Sequence, residues 1–134
     1  ENLILGRLAS NVAKALLFGE EIAIVNCDKV IMTGNRSSIL ELQRDTATKR
    51  GKPNRGAFYE RRPDFFVQKV IKHMLPKNSR GISAFKRLKC YISAPAQFKS
   101  IETIDGADVK HTSTVNYMSI GEICKLMGAK SWQK

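Results

Sequence analysis

Residues 6–26, GRLASNVAKALLFGEEIAIVN, decide the fold class. In the first part, Leu8, Val12 and Leu16 form one row, and Ala9, Ala13 and Leu17 form the next. Rows at that spacing share one side of an α-helix, so residues 6–18 predict a helix with a broad apolar face. Gly19 follows at the position where a left-handed residue ends a helix. The second part, IAIVN at 22–26, is short, apolar and β-branched, which predicts a buried strand. A helix followed by a continuously apolar strand points to an α/β sandwich with a parallel or mixed sheet.

Working outward, Asp28 and Lys29 make a turn and Val30, Ile31 and Met32 a second short strand. Thr33-Gly34-Asn35-Arg36 breaks that pattern, and a helix from Ser37 or Ser38 to about Ala47 follows. The stretch TKRGKPNRGAFYERRP at 48–63 is cationic and rich in glycine and proline. It has little to bury and reads as a long loop that orders when something neutralises it. Asp64 caps a helix to Leu75, with Phe66, Val67, Val70, Ile71, Met74 and Leu75 as its core-facing stripe. Pro76 ends this helix, because proline cannot donate to the ladder and disfavours helical geometry in the residue before it. Ser79 or Ser83 opens a further short helix through Leu88, and residues 88–92 alternate like a strand. From 96 to 116 the chain is polar, until Ser119-Ile120-Gly121-Glu122 forms a capping box for a helix with Ile123, Leu126 and Met127. The expected organisation is a 1–95 α/β core carrying the basic loop 48–63, then a 96–134 polar arm with a short C-terminal helix.

The chain of 134 residues suffices for one core, and 43% of it is apolar. Its net charge is +11, unevenly spread: residues 1–35 carry −1, residues 36–89 carry +11, and residues 90–134 carry +1. So dense a like charge opposes compaction unless a polyanion relieves it, and nucleic-acid phosphate is the usual one. No run approaches the roughly 18–20 apolar residues of a membrane helix, so no membrane partner is expected. ENLILGRLAS has no basic region ahead of an apolar run and is not expected to be a secretory leader. Cys27, Cys90 and Cys124 are widely spaced and form no CxxC pair, which favours free, mostly buried thiols in a reducing compartment.

Catalysis finds no constellation. His73 and His111 are far apart, neither sits in a nucleophile or metalloprotease motif, and the twelve acids form no paired cleft. Thr33-Gly34-Asn35-Arg36 follows a strand but lacks the spacing of either phosphate-loop fingerprint. No enzyme, cofactor, metal or small-molecule substrate is expected. The polyanion reading uses far more residues. Lys49, Arg50, Lys52, Arg55, Arg61 and Arg62 populate the 48–63 loop; Lys77, Asn78, Arg80, Lys86, Arg87 and Lys89 follow the 64–75 helix. Arginine forks match phosphate oxygens and lysines act as point charges. Phe58 and Tyr59 stack on bases or pack on the core.

GRLASNVAKALL at 6–17, MTGN at 32–35, RGAFYERRP at 55–63, HMLPKNSRG at 73–81 and FKRLKCY at 85–91 stand in an order that resembles the L-thirteen family of large-subunit ribosomal proteins. The likeness spans residues 3–92, continues more weakly in YMSIGEICKLMGAK, and is closer to archaeal and eukaryotic members than to bacterial ones. It departs at His73, where members usually carry a small residue. The resemblance implies a three-layer α/β/α sandwich with a small, mainly parallel sheet. It implies a protein of the cytoplasmic ribosome that binds large-subunit rRNA from early in assembly, beside neighbouring ribosomal proteins. It further implies that Met74 and Leu75 finish a core helix, Pro76 fixes a turn, and Lys77, Asn78 and Arg80 face RNA, with Arg7, Asn35 and Arg36 as second contacts. Beside it stand a free nucleic-acid-binding regulator and a nucleotide-dependent enzyme.

Overall fold

The computed structural model describes residues 2–48, 60–98, 107 and 116–129, with side chains described through Asp45 in the helix that reaches Thr48. Among these, helix α1 (Leu5–Phe18) leads to strand β1 (Ile22–Ile24), a 3-10 turn (Cys27–Lys29) and strand β2 (Ile31–Thr33). Helices α2 (Arg36–Thr48), α3 (Pro63–Met74) and α4 (Ser79–Lys86) follow. Strands β3 (Leu88–Cys90) and β4 (Tyr117–Ser119) and helix α5 (Ile120–Leu126) complete the order. The result is a small α/β sandwich.

Helix α1 forms as its periodicity dictates: Leu5, Leu8, Ala9, Val12, Ala13 and Leu16 are all buried. Gly19 ends it at φ 108°, a left-handed conformation that costs glycine nothing and lets its amide bond back to Leu16. That face packs against α3 and α4. The core it seeds includes Leu16, Val67, Ile71, Ile120 and Ile123, each essentially inaccessible to water. Each such side chain contributes about 1.5–3 kcal/mol relative to exposure.

Strands β1 and β3 are parallel, with Ile22 opposite Leu88 and Ile24 opposite Cys90. A parallel pair needs a crossover connection, here the long segment that carries β2 and helices α2 to α4. Strand β2 meets Ile4 in a parallel bridge on one side and β4 in an antiparallel pair on the other. The Ile4 amide also donates to the carbonyl of Ala107, itself wholly buried. The segment set apart in sequence from residue 96 onward therefore enters the same core, through Ala107, Met118, Ile120, Ile123 and Cys124.

Two local expectations change. Met74, placed on the core-facing stripe, is 44% exposed. It is the last residue of α3, and Leu75 takes the core position beyond it in extended geometry. Asp64 does not cap α3 from outside. Arg62 holds the N-cap position without a side-chain capping bond, Pro63 opens the helix, and Asp64 lies buried in the first turn, where its charge suits the positive end of the helix dipole. All three cysteines are free. A hydrogen bond with Cys27, reinforced by burial, pushes the Cys90 thiol well above its ordinary range.

Candidate nucleic-acid interface

The corner between α3 and α4 is built residue by residue from LPKNSRG. Leu75 leaves the helix at ψ 146°, the geometry that a following proline imposes. Its amide still donates to the Ile71 carbonyl at 3.2 Å. Asn78 caps α4, its side-chain oxygen accepting from the Gly81 amide at 2.9 Å. Gly81 is required by space: a Cβ there would overlap the Pro76 carbonyl oxygen and stand 2.9 Å from the Pro76 carbonyl carbon. The corner is thus held by a proline, a cap and a backbone contact, with Lys77 exposed at its tip.

Four of the arginines assigned to RNA from sequence, Arg36, Arg62, Arg80 and Arg87, have partners inside the protein. Arg80 donates through Nη2 to the Leu17 carbonyl at 3.2 Å, and Arg87 through Nη2 to the Leu16 carbonyl at 2.8 Å. The last carbonyls of a helix lack intrahelical donors and carry its negative dipole end, so two guanidinium groups there complete the end of α1. Arg87 is half-buried, and its Nε is buried with no partner among the described residues. Arg62 grips Asp64 with Nε to Oδ1 at 3.2 Å and Nη2 to Oδ2 at 2.7 Å, and its guanidinium lies 4.8 Å from the Phe65 ring centre. Arg36 lies 3.5 Å from the Glu122 carboxylate, tying the start of α2 to α5.

The lysines differ. Lys77 stands at the corner, Lys86 in the last turn of α4 and Lys89 on β3, and all three are exposed. Lys89 points away from the core because its neighbour Leu88 points in, as strand alternation requires. The corner, α4 and β3 are consecutive, so these three cations lie along one short stretch of chain. Asn35 is exposed and its carbonyl accepts from the Ile39 amide at the start of α2. Arg7 is exposed in the first turn of α1, and Arg61 is exposed ahead of α3. Lys49, Arg50, Lys52 and Arg55, with Phe58, Tyr59 and His111, lie outside the described residues.

Sequence reasoning had not weighted Lys69 and Lys72. With His73 and Lys77 they line a groove between α3 and α4. Their spacing on the helix, opposite the buried stripe, was the available signal. His73 is exposed, its ring fixed by Nδ1 donating to the Lys69 carbonyl at 2.7 Å. Among the described residues, no group of three or more His, Cys, Asp or Glu side chains is arranged to hold a metal ion. No described helix is long and apolar enough to cross a membrane.

The family model described as Ribosomal protein L13 matches residues 1–97. The chain belongs to the ribosomal protein L13 family. Members of this family are structural rather than catalytic, so this L13-family chain is not an enzyme. It is 44% identical over 132 residues to the large ribosomal subunit protein uL13 of Methanosarcina barkeri, covering 96% of this chain and 94% of that one. It is 42% identical over 135 residues to the protein of the same name from Methanopyrus kandleri, covering 96% and 83%. A third, from Methanocaldococcus jannaschii, is 40% identical over 134 residues, covering 97% and 95%.

Proposed function

We infer that this chain is a structural constituent of the large ribosomal subunit, in the cytoplasm, that binds and stabilises large-subunit rRNA from early in assembly. The observation that carries this reading is the corner between α3 and α4. Lys77, Lys86 and Lys89 project from a rigid proline- and glycine-locked frame within a segment of net charge +11. Cations on a preset frame bind phosphate without first being ordered, which lowers the cost of association. Membership of a ribosomal protein family supports the same reading. The 49–59 stretch, with Lys49, Arg50, Lys52 and Arg55, supplies further phosphate contacts, joined by Arg61, Arg7 and Asn35. Arg36, Arg62, Arg80 and Arg87 reach RNA only with the donors their protein partners leave over. Neighbouring large-subunit proteins complete the surroundings.

Sedimentation tests this reading. A lysate containing the tagged full chain is run through a sucrose gradient at moderate and then high salt. Migration with the large subunit, retained after the high-salt wash, is expected. A chain left at the top of the gradient contradicts the proposal and favours a free nucleic-acid-binding regulator.

A further inference from the structure

Between α3 and α4 lies an open groove of about 810 Å³, within the range of roughly 300–1,000 Å³ typical of pockets for small organic groups. Its lining includes a solvent-accessible apolar strip: Phe65 is 43% accessible, Ile82 is 60% accessible, and Phe85 is half-buried. Its edges are basic, with Lys69, Lys72, His73 and Lys77 against Glu60 as the one acid among the described lining residues. Cations already lie over the aromatic faces, Lys72 Nζ 5.6 Å from the Phe85 ring centre and the Arg62 guanidinium 4.8 Å from that of Phe65.

An exposed apolar strip costs solubility unless something covers it. The cover must also answer an excess of positive charge. A peptide would bring apolar side chains but no fixed anion at each step. An unpaired nucleotide brings both together, a flat base and a phosphate, and aromatic side chains amid cations are how single-stranded nucleic acid is held. Lys77 belongs at once to the groove and to the corner that carries the exposed lysines, so the groove continues the candidate interface. We propose that the α3–α4 groove is a base-docking site. An unstacked nucleotide of a single-stranded rRNA segment lies on Phe65 and Ile82, and its phosphates meet Lys72 and Lys77. This rests on the rRNA-binding function inferred above and names the part of the RNA that this groove takes.

The test uses the full chain and protein-free archaeal large-subunit rRNA, with filter binding and 254 nm cross-linking. Phe65→Leu keeps apolar bulk and removes the ring; Ile82→Glu puts a carboxylate in the groove and removes no cation. Both positions are partly exposed, and thermal unfolding checks each variant. Stacking on an aromatic ring is worth roughly 1–3 kcal/mol per base, so Phe65→Leu is expected to weaken binding at least about fivefold and Ile82→Glu further. The wild type is expected to give a cross-link within the peptide bearing Phe65, lost in Phe65→Leu. Wild-type affinity in both variants, with no such cross-link, overturns the groove proposal and leaves rRNA binding standing. Normal rRNA binding by the variants with loss of a neighbouring ribosomal protein from assembled subunits also overturns it, in favour of a protein occupant. Failure of the wild type to bind the rRNA overturns both. Should Phe65→Leu lower the unfolding temperature, Ile82→Glu decides alone.

Discussion

At the end of α1, exposed Arg80 and half-buried Arg87 hydrogen bond back to the carbonyls of Leu17 and Leu16. A few residues away, Lys77, Lys86 and Lys89 turn toward solvent. In sequence these five cations are one cluster. The structure parts them by side-chain type as much as by position. A guanidinium is planar, weakly hydrated and has five donors, so it tolerates partial burial against carbonyls and carboxylates. An ammonium is strongly hydrated and stays in water. Arg62 on Asp64 and Arg36 beside Glu122 follow the same division. A basic cluster is therefore two things at once: a set of fasteners and a set of free charges.

The comparison is broken most severely at the residue that holds both sets in place. Gly81→Ala forces α4 away from Pro76 and is expected to cost about 3 kcal/mol or more, an overpacking that backbone must relieve. Chemical denaturation measures it. A smaller effect is expected of Arg87→Ala, which strips a charged donor from the Leu16 carbonyl and should cost about 1.5–3 kcal/mol. Its affinity for rRNA, once folded, should change less than that of any lysine variant. Arg62→Ala leaves the Asp64 carboxylate, only 7% exposed, without its fork. Because Arg62 is itself largely exposed, the expected loss is about 1–2 kcal/mol. Lys77→Ala, Lys86→Ala and Lys89→Ala sharpen the contrast from the other side. Each should leave stability within about 0.5 kcal/mol and weaken rRNA binding.

Least in size is an alkaline effect at Cys90. Its folded thiol titrates above the ordinary range because it hydrogen bonds with Cys27 and is partly buried. The neutral form is thus favoured by folding. That contribution is complete below the unfolded thiol's pKa of about 8.5 and declines as pH rises above it. Stability measured from pH 7 to 10 should fall above about 8.5, and Cys90→Ser should flatten that fall.

Much of this was legible in sequence. The α1 and α3 stripes were readable because each runs for several turns, and Pro76 because proline acts on its own neighbours. The capping role of Ser119, whose hydroxyl accepts from the Glu122 amide at 3.2 Å, was readable from a four-residue pattern. Strand β4 was not, since three residues cannot display a period and its pairing partner lies far back at β2. The duties of Arg80 and Arg87 were not legible either. Their acceptors are 63 and 71 residues away in the chain, and only the packing of α4 on α1 brings them within reach. Gly81 was visible as a glycine, but its reason, the Pro76 carbonyl, exists only in three dimensions.

The central claim is that the exposed lysines, and not the fastened arginines, carry the phosphate contacts of this region. Filter binding of the full chain to protein-free large-subunit rRNA across a salt series tests it most directly, comparing wild type, a Lys77→Ala/Lys86→Ala/Lys89→Ala triple variant, and Arg87→Ala. Each lost phosphate contact lowers the slope of log affinity against log salt by roughly 0.7–0.9. The account predicts a slope reduced by about 2–3 for the triple variant and nearly unchanged for Arg87→Ala. An unchanged slope in the triple variant, or a reduction as large in Arg87→Ala, would contradict it.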